Sequence, residues 1–414
     1  MYRLTNLTRV AAVGALVVLA GCESKRSLLG PTSLAGGDIF KSYVALGNSI
    51  TAGYQSGGIN DSTQRQSYAR LLAGQMGTQY HYASLAGRGC SPPIANTQTG
   101  ALVGTGSTAT TCDLRAAASV TDILNNVAVP GARVLDPTSS STVASNALTT
   151  FILGGKTQVQ KALDAQPTFA SVWIGNNDVL VAGLSGIIVP QAALGQAGII
   201  STQVQFQTSY DAMISQLTTG APGLKGVLIG VAQVANLPSL SSGALIASSA
   251  AAQGGISAAA GKPVTIHPDC TGSTSLINVP SLVAAIRANS PAAPPFIVCA
   301  KNEPGFPFPV GDLYVLDPTE QATLSAAITG YNTYIKSKAD AIGFAYYDPN
   351  ILFAAKRANG EIPPFPILTS ATATFGTLIS LDGVHPSGAA HLLIANELIS
   401  VINAKYATTL KPAQ

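Results

Sequence analysis

Four short polar clusters in this sequence hold the residue types that acyl transfer needs: Asn48-Ser49, Gly87, Asn176-Asn177-Asp178 and Asp382-Gly383-Val384-His385-Pro386. That chemistry requires a nucleophile, a base to take its proton, a group to orient the base, and donors for an oxyanion. Ser49 offers a hydroxyl, His385 an imidazole and Asp382 a carboxylate for these roles. Of the four histidines, His81, His267, His385 and His391, only His385 has a carboxylate three residues before it. His81 falls inside a predicted strand and His267 inside a Ser- and Thr-rich stretch. His391 opens the last predicted helix and reads as a solvent-side or capping residue. Asp178 reads as a group that fixes the loop bearing Asn177, not as a second base.

The elements around these clusters explain why they should meet. Residues 43–46 form a short apolar strand running into Gly47-Asn48-Ser49, residues 80–85 a second ending at Ala86-Gly87, and residues 169–174 a third running into Gly175-Asn176-Asn177. Further strands are expected at 226–231 and 344–347. Between them, Tyr68, Leu71, Leu72 and Met76, and then Phe206, Tyr210, Met213 and Leu217, recur at helical spacing. Asp317-Pro318-Thr319-Glu320 carries a capping residue, a proline at the first helical position and a glutamate at the third, ahead of the apolar face Leu324, Ile328, Tyr331 and Ile335. Residues 392–402 form an apolar closing helix. Strands alternating with helices predict a mainly parallel sheet covered on both faces, whose ligands bind at the carboxyl ends of the strands.

Composition bounds the rest. A chain of 414 residues with 47 % hydrophobic and 10 % charged residues can bury a large core. A net charge of +3 without a basic cluster argues against a nucleic-acid partner. No metal or cofactor motif is present. Two stretches, 88–150 and about 236–315, break the alternation and are rich in Ser, Thr, Ala, Gly and Pro; each holds one cysteine pair. They read as long insertions near the mouth of the site. Arg3 and Arg9 followed by the apolar run 10–20 form a signal-peptide core, too short to span a bilayer. It ends in Leu19-Ala20-Gly21-Cys22, which resembles the lipobox of bacterial lipoproteins, where the cysteine is lipidated. With Cys22 lipidated, Cys90, Cys112, Cys270 and Cys299 remain, an even number in an exported chain, which implies disulfides with three possible connectivities. Neighbours in sequence make Cys90–Cys112 and Cys270–Cys299 the simplest pairing.

The clusters also carry a family resemblance. Gly47-Asn48-Ser49-Ile50-Thr51 resembles the first block of the SGNH (GDSL-type) hydrolases, Gly-Asp-Ser-(Leu/Ile)-Thr. Gly87 falls where their second block places a glycine, Gly175-Asn176-Asn177-Asp178 is similar to the third, and Asp382-x-x-His385-Pro386 to the fifth. The blocks occur in family order across most of residues 43–405. The resemblance implies a flavodoxin-like three-layer α/β/α sandwich and a carboxylic ester hydrolase without cofactor. It assigns Ser49 as nucleophile, Asp382 and His385 as its partners, and an oxyanion hole from the backbone N–H groups of Ser49 and Gly87 with the Asn177 amide. The chain departs from the family at Asn48, which keeps a carbonyl acceptor but lacks the usual carboxylate charge.

The expected organisation is therefore a signal peptide over 1–21, a lipidated N-terminus and tether over 22–38, the hydrolase domain over 39–406 and a tail over 407–414. The expected substrates are esters of acyl lipids or acylated glycans. A non-catalytic binding protein on the same fold and an acyltransferase with the same triad are the alternatives. Glu23 after Cys22 resembles lipoproteins of the outer membrane, which places the protein in the bacterial cell envelope on a lipid anchor.

Overall fold

Tyr43-Val44-Ala45-Leu46-Gly47 buries every residue, as does Phe169-Ala170-Ser171-Val172-Trp173, a pattern that only strands covered on both faces can show. A computed structural model describes residues 37–104, 123–139, 148–194, 196, 198–289, 296–300 and 314–414. In it these segments become β1 (Tyr43–Gly47) and β2 (Phe169–Trp173), followed by β3 (Lys225–Ile229) and β4 (Ala345–Tyr347). The four strands form one sheet in the order β1-β2-β3-β4, every pair parallel. The helices that matter for the site are α1 (Ser49–Ala52), α2 (Tyr68–Met76), α3 (Asn177–Ser185), α4 (Gln203–Gly220), α5 (Pro318–Ile342), α6 (Pro349–Ala358) and α7 (Gly388–Tyr406).

Alternation along the strands divides the core in two. Val44, Leu46, Ala170, Val172 and Leu228 pack with Phe206, Tyr210 and Met213 of α4 and Leu324, Ile328 and Tyr331 of α5. Tyr43, Ala45, Phe169, Trp173 and Ile229 point the other way, onto Tyr68 and Leu72 of α2 and Ile394, Leu398 and Ile402 of α7. Helices thus lie on both faces of a parallel sheet, as the alternating pattern predicts. The start of α5 is the expected capping box: Asp317 accepts from Glu320 N at 2.8 Å while Glu320 accepts from Asp317 N at 3.0 Å.

Two expectations need correction. Residues 80–85 do not form a strand of the sheet; Tyr82 makes an isolated bridge to Asn126. The edge beside β1 is filled instead from within the stretch 88–150: Ala45 N donates to Asn125 O at 2.7 Å, and Val127 N and Val129 N donate to Ala45 O and Gly47 O at 3.0 and 3.2 Å. Side-chain amides do much of the joining, since Asn125 Nδ2 donates to Tyr43 O at 2.8 Å and Asn126 Nδ2 to Thr51 O at 2.8 Å. Residues 125–129 are therefore part of the sheet's edge.

The stretch 236–315 has structure of its own. Leu240–Ser242, Leu276–Asn278 and Val315–Leu316 form a small antiparallel sheet with Leu276–Asn278 in the middle. Helices Gly243–Ser248, Ala250–Ala260 and Val279–Arg287 accompany it, around a separate core that includes Ile246, Ile256, Ile277, Leu282 and Ile286. The disulfide Cys270–Cys299 lies in that core, with an S–S length of 2.01 Å. Cys90 is also disulfide-bonded; Cys112, its expected partner, and Cys22 lie outside the described residues. Among the described residues no helix is long and apolar enough to cross a membrane.

Candidate active site

The turn after β1 is closed by small residues and by amides. A Cβ on Gly47 would sit 2.4 Å from Thr51 Oγ1 and 2.6 Å from Trp173 O, so no larger residue fits there. The side chain of Gln158, fully buried, holds Gly47 at both polar atoms: Gly47 N donates to Oε1 at 3.0 Å and Nε2 donates to Gly47 O at 3.0 Å. Asn48 is the N-cap of α1, its Oδ1 accepting from Ile50 N at 3.1 Å. The turn chemistry of a carboxylate is thus preserved by the amide. Ser49 is the first residue of α1 and only 7 % exposed.

Residues 380–386 bring the other groups to it from the far end of the chain. His385 Nε2 lies 2.8 Å from Ser49 Oγ, and His385 Nδ1 lies 2.8 Å from Asp382 Oδ2. Asp382 Oδ1 accepts from Val384 N and His385 N, both at 2.9 Å, and from Ser380 Oγ at 3.1 Å, while Oδ2 also accepts from Gly57 N at 2.8 Å. Burial alone would raise the pKa of this carboxyl. The adjacent imidazole and the hydrogen bonds from His385 and Gly57 outweigh it and hold Asp382 well below the usual carboxylate range. The arrangement can take a proton from a serine hydroxyl onto an imidazole whose far nitrogen faces a fixed negative charge.

Asn177 opens α3 and lines the same cleft as Ser49 and His385. Its Nδ2 donates to Ala132 O at 2.9 Å, which uses one of the two amide hydrogens. Asp178 secures the same loop, as the sequence predicts: its carboxylate accepts from Val134 N at 2.8 Å and from Ser201 Oγ at 2.6 Å, with Arg133 Nε at 3.7 Å. Burial pushes the Asp178 carboxyl up to about 6 against the pull of Arg133 and these hydrogen bonds. Gly87 is exposed, with a φ of 65° and open space where a Cβ would be. Its backbone alone accounts for glycine there, and it is not among the residues lining the cleft.

A cleft opens beside Ser49. Its walls are mostly apolar, with Ile50, Leu180, Val234, Leu237, Phe353 and Ile362 among them. Asn236, Leu237 and Pro238, at the start of the stretch 236–315, line the cleft as well.

The remaining histidines stand apart, and one differs from expectation. His81 is exposed. His267 caps a short turn and lies 3.0 Å from Asp269, next to the Cys270–Cys299 disulfide in sequence. His391 is fully buried instead of facing solvent, because α7 is packed on α2: its Nδ1 accepts from Tyr68 N at 3.2 Å and its ring stacks on Tyr68. Asp269, Cys270 and Cys299 come within ligand distance of one another. The sulfurs are joined, however, and Asp269 Oδ2 already accepts from Cys299 N and Ala300 N at 2.9 and 2.7 Å. Gln158, Gly57 and Ser380 had no sequence signal, since a lone amide, glycine or serine is unremarked without its partner.

A family model described as GDSL-like lipase/acylhydrolase matches residues 43–398. Among solved structures the chain is similar to an extracellular lipase from Streptomyces rimosus, at 15 % identity and a TM-score of 0.32, over 88 % of this chain and 99 % of that one. It is also similar to a family two carbohydrate esterase from Cellvibrio japonicus, at 12 % identity and a TM-score of 0.22, over 72 % of this chain and 62 % of that one. No curated protein matches the sequence.

Proposed function

The chain belongs to the GDSL-like lipase/acylhydrolase family, and from that premise we propose that it is a serine esterase working through an acyl-enzyme on Ser49. The observation that carries the reading is the unbroken contact from Ser49 Oγ to His385 Nε2 and from His385 Nδ1 to Asp382 Oδ2, each 2.8 Å. Ser49 Oγ attacks the ester carbonyl carbon as its proton passes to His385 Nε2. The imidazolium so formed is stabilised by Asp382, which stays ionised. The oxyanion is received by the backbone N–H of Ser49 and the second hydrogen of the Asn177 amide, which both line the cleft; each such donor contributes ~3–4 kcal/mol. Collapse breaks the ester C–O bond, and His385 returns the proton to the departing alcohol. Water then repeats the sequence on the acyl-enzyme and releases the carboxylic acid.

The apolar walls of the cleft suit the acyl part of the substrate, an acyl lipid or an acylated glycan. Asn48 does not favour a binding protein over an enzyme, since its Oδ1 makes the capping bond that the turn requires. The N-terminal motif around Cys22 supports a lipid-anchored form in the bacterial envelope, with 39–406 as the hydrolase domain. The decisive experiment is labelling of the purified protein by a fluorophosphonate, with p-nitrophenyl esters of graded length as substrates. The expected result is stoichiometric labelling at Ser49 and turnover that varies with acyl length; an unlabelled, inactive wild type refutes the reading.

A further inference from the structure

The turn that follows the nucleophile helix is hydrogen-bonded to the acid–base loop through Ser56 and Gly57. Ser56 has a φ of 55°, a conformation that residues with side chains rarely adopt. Its N–H donates to Ser380 Oγ at 2.8 Å, and its Oγ accepts from Leu381 N at 3.1 Å, a reciprocal pair across 324 and 325 positions of sequence. Gly57 N, next along, donates to the Asp382 oxygen that also meets His385. Tyr54 closes the circuit. Its N–H donates to Ser49 O at 2.9 Å, its ring lies against the His385 imidazole with centroids 4.9 Å apart, and its hydroxyl donates to Gly57 O at 2.5 Å. The turn itself is tight, with Gln55 N and Gly58 N each donating to the other residue's carbonyl.

We propose that Tyr54 and Ser56 are positioning residues, which set the distance between Ser49 and His385 by clasping the acid–base loop to the nucleophile's own turn. The proposal rests on the esterase reading above. The nucleophile and its base arise from opposite ends of the chain, and a proton transfer at 2.8 Å tolerates little relative movement. Misplacement by about 1 Å can cost roughly 10²-fold in rate. Backbone strain at Ser56 persists because its N–H and its hydroxyl are both used in this clasp, while its carbonyl accepts from Ile94 N at 2.7 Å. Neither Tyr54 nor Ser56 lines the cleft, so neither is placed to grip substrate.

The test uses three variants of the full chain, with steady-state kinetics on p-nitrophenyl butyrate, fluorophosphonate labelling rates and thermal melting. Ser56→Gly relieves the positive φ while deleting the acceptor for Leu381 N. It should melt no lower than wild type, yet lose about tenfold in kcat and in labelling rate with KM within about twofold. Tyr54→Leu should lose more, ~30-fold in kcat, and Tyr54→Phe, which keeps the ring on His385, should recover most of it. A raised KM with kcat intact would assign these residues to substrate binding and overturn the proposal, as would wild-type rates in Ser56→Gly and Tyr54→Leu. If Tyr54→Leu does not fold, Ser56→Gly decides alone. Failure of the wild type itself to label or hydrolyse overturns the esterase reading and the clasp with it, whereas unaffected variants of an active wild type overturn the clasp only.

Discussion

In front of Ser49, Asp382 accepts hydrogen bonds from Gly57, Val384, His385 and Ser380, and the imidazole of His385 spends both nitrogens on partners. Behind it, Asn48 Nδ2, Trp173 Nε1 and His391 Nε2 are buried without a hydrogen-bond partner among the described residues. The front holds a negative charge that must survive partial burial, and it does so by surrounding that charge with donors. The back holds only neutral groups, with His391 stacked on Tyr68 and Tyr68 tilted against Trp173. An unmet donor there costs ~1–3 kcal/mol, far less than an unmet charge. Six residues apart along one loop and helix, His385 and His391 therefore sit in opposite settings: one meets a partner at each ring nitrogen, while the other is buried and kept from taking up a proton.

The contrast breaks most visibly when the front is cut. Ser49→Ala and His385→Ala should each lower kcat by about 10⁴ or more on a p-nitrophenyl ester, and the double variant should be scarcely worse than either, because the two act as one proton-transfer unit. Half-activity in Ser49→Ala would be incompatible with the mechanism. Asp382→Asn should cost ~10³–10⁴ in kcat, since an amide both weakens the imidazolium and turns N–H groups toward a site that receives only donors.

Changes at the back should appear in stability, not in rate. Burial, aided by the charge of His385, pushes the His391 pKa down from 6.5 to about 3. The unfolded chain takes up a proton below about pH 6.5 while the folded one resists until near 3, so stability falls as pH drops through that window. The contribution is on the order of 4 kcal/mol. Asp178 acts in the opposite sense, since its raised folded pKa favours folding at low pH and that contribution is lost as pH rises through about 6. His391→Gln keeps an acceptor for Tyr68 N and cannot titrate. Denaturant melts from pH 7 to 4 should show a flatter profile for this variant than for wild type, and parallel profiles would contradict the assignment. The smallest effect is expected at Asn48, which joins the two sides. Asn48→Asp keeps the acceptor for Ile50 N and removes an unpartnered donor, so kcat should stay within about fivefold of wild type. Asn48→Ala loses the cap and should be worse in both rate and melting, by roughly 1 kcal/mol in the latter. An inactive wild type rescued by Asn48→Asp would reverse the comparison.

The parts of the molecule that could be read in advance are those where one physical rule dominates. β1 and β2 are short, almost wholly apolar runs because both faces are covered, α5 announces itself through its capping box, and the offset between Asp382 and His385 is set by local geometry within one loop. The sheet edge at 125–129 escaped notice because it is joined by the amides of Asn125 and Asn126, which look like loop residues. Strands of two or three residues in 236–315 are too short for alternation to register. His391 was legible in principle: Leu392, Leu393 and Ile394 follow it, and a helix apolar on several sides is buried on several sides. The clasp at Tyr54 and Ser56 joins positions over three hundred apart, and nothing local in either segment signals the other.

The direction of β1 carries a consequence for where this chain can work. The chain enters the sheet at Tyr43, beside the turn Gly37–Phe40, and delivers Ser49 from the opposite end. At ~3.3 Å per residue the strand separates entry from nucleophile by roughly 17 Å. With Ser49 as nucleophile, as proposed, an ester has to be met by the carboxyl edge of the sheet, so whatever surface carries the substrate must face that edge and not the one where Gly37 enters.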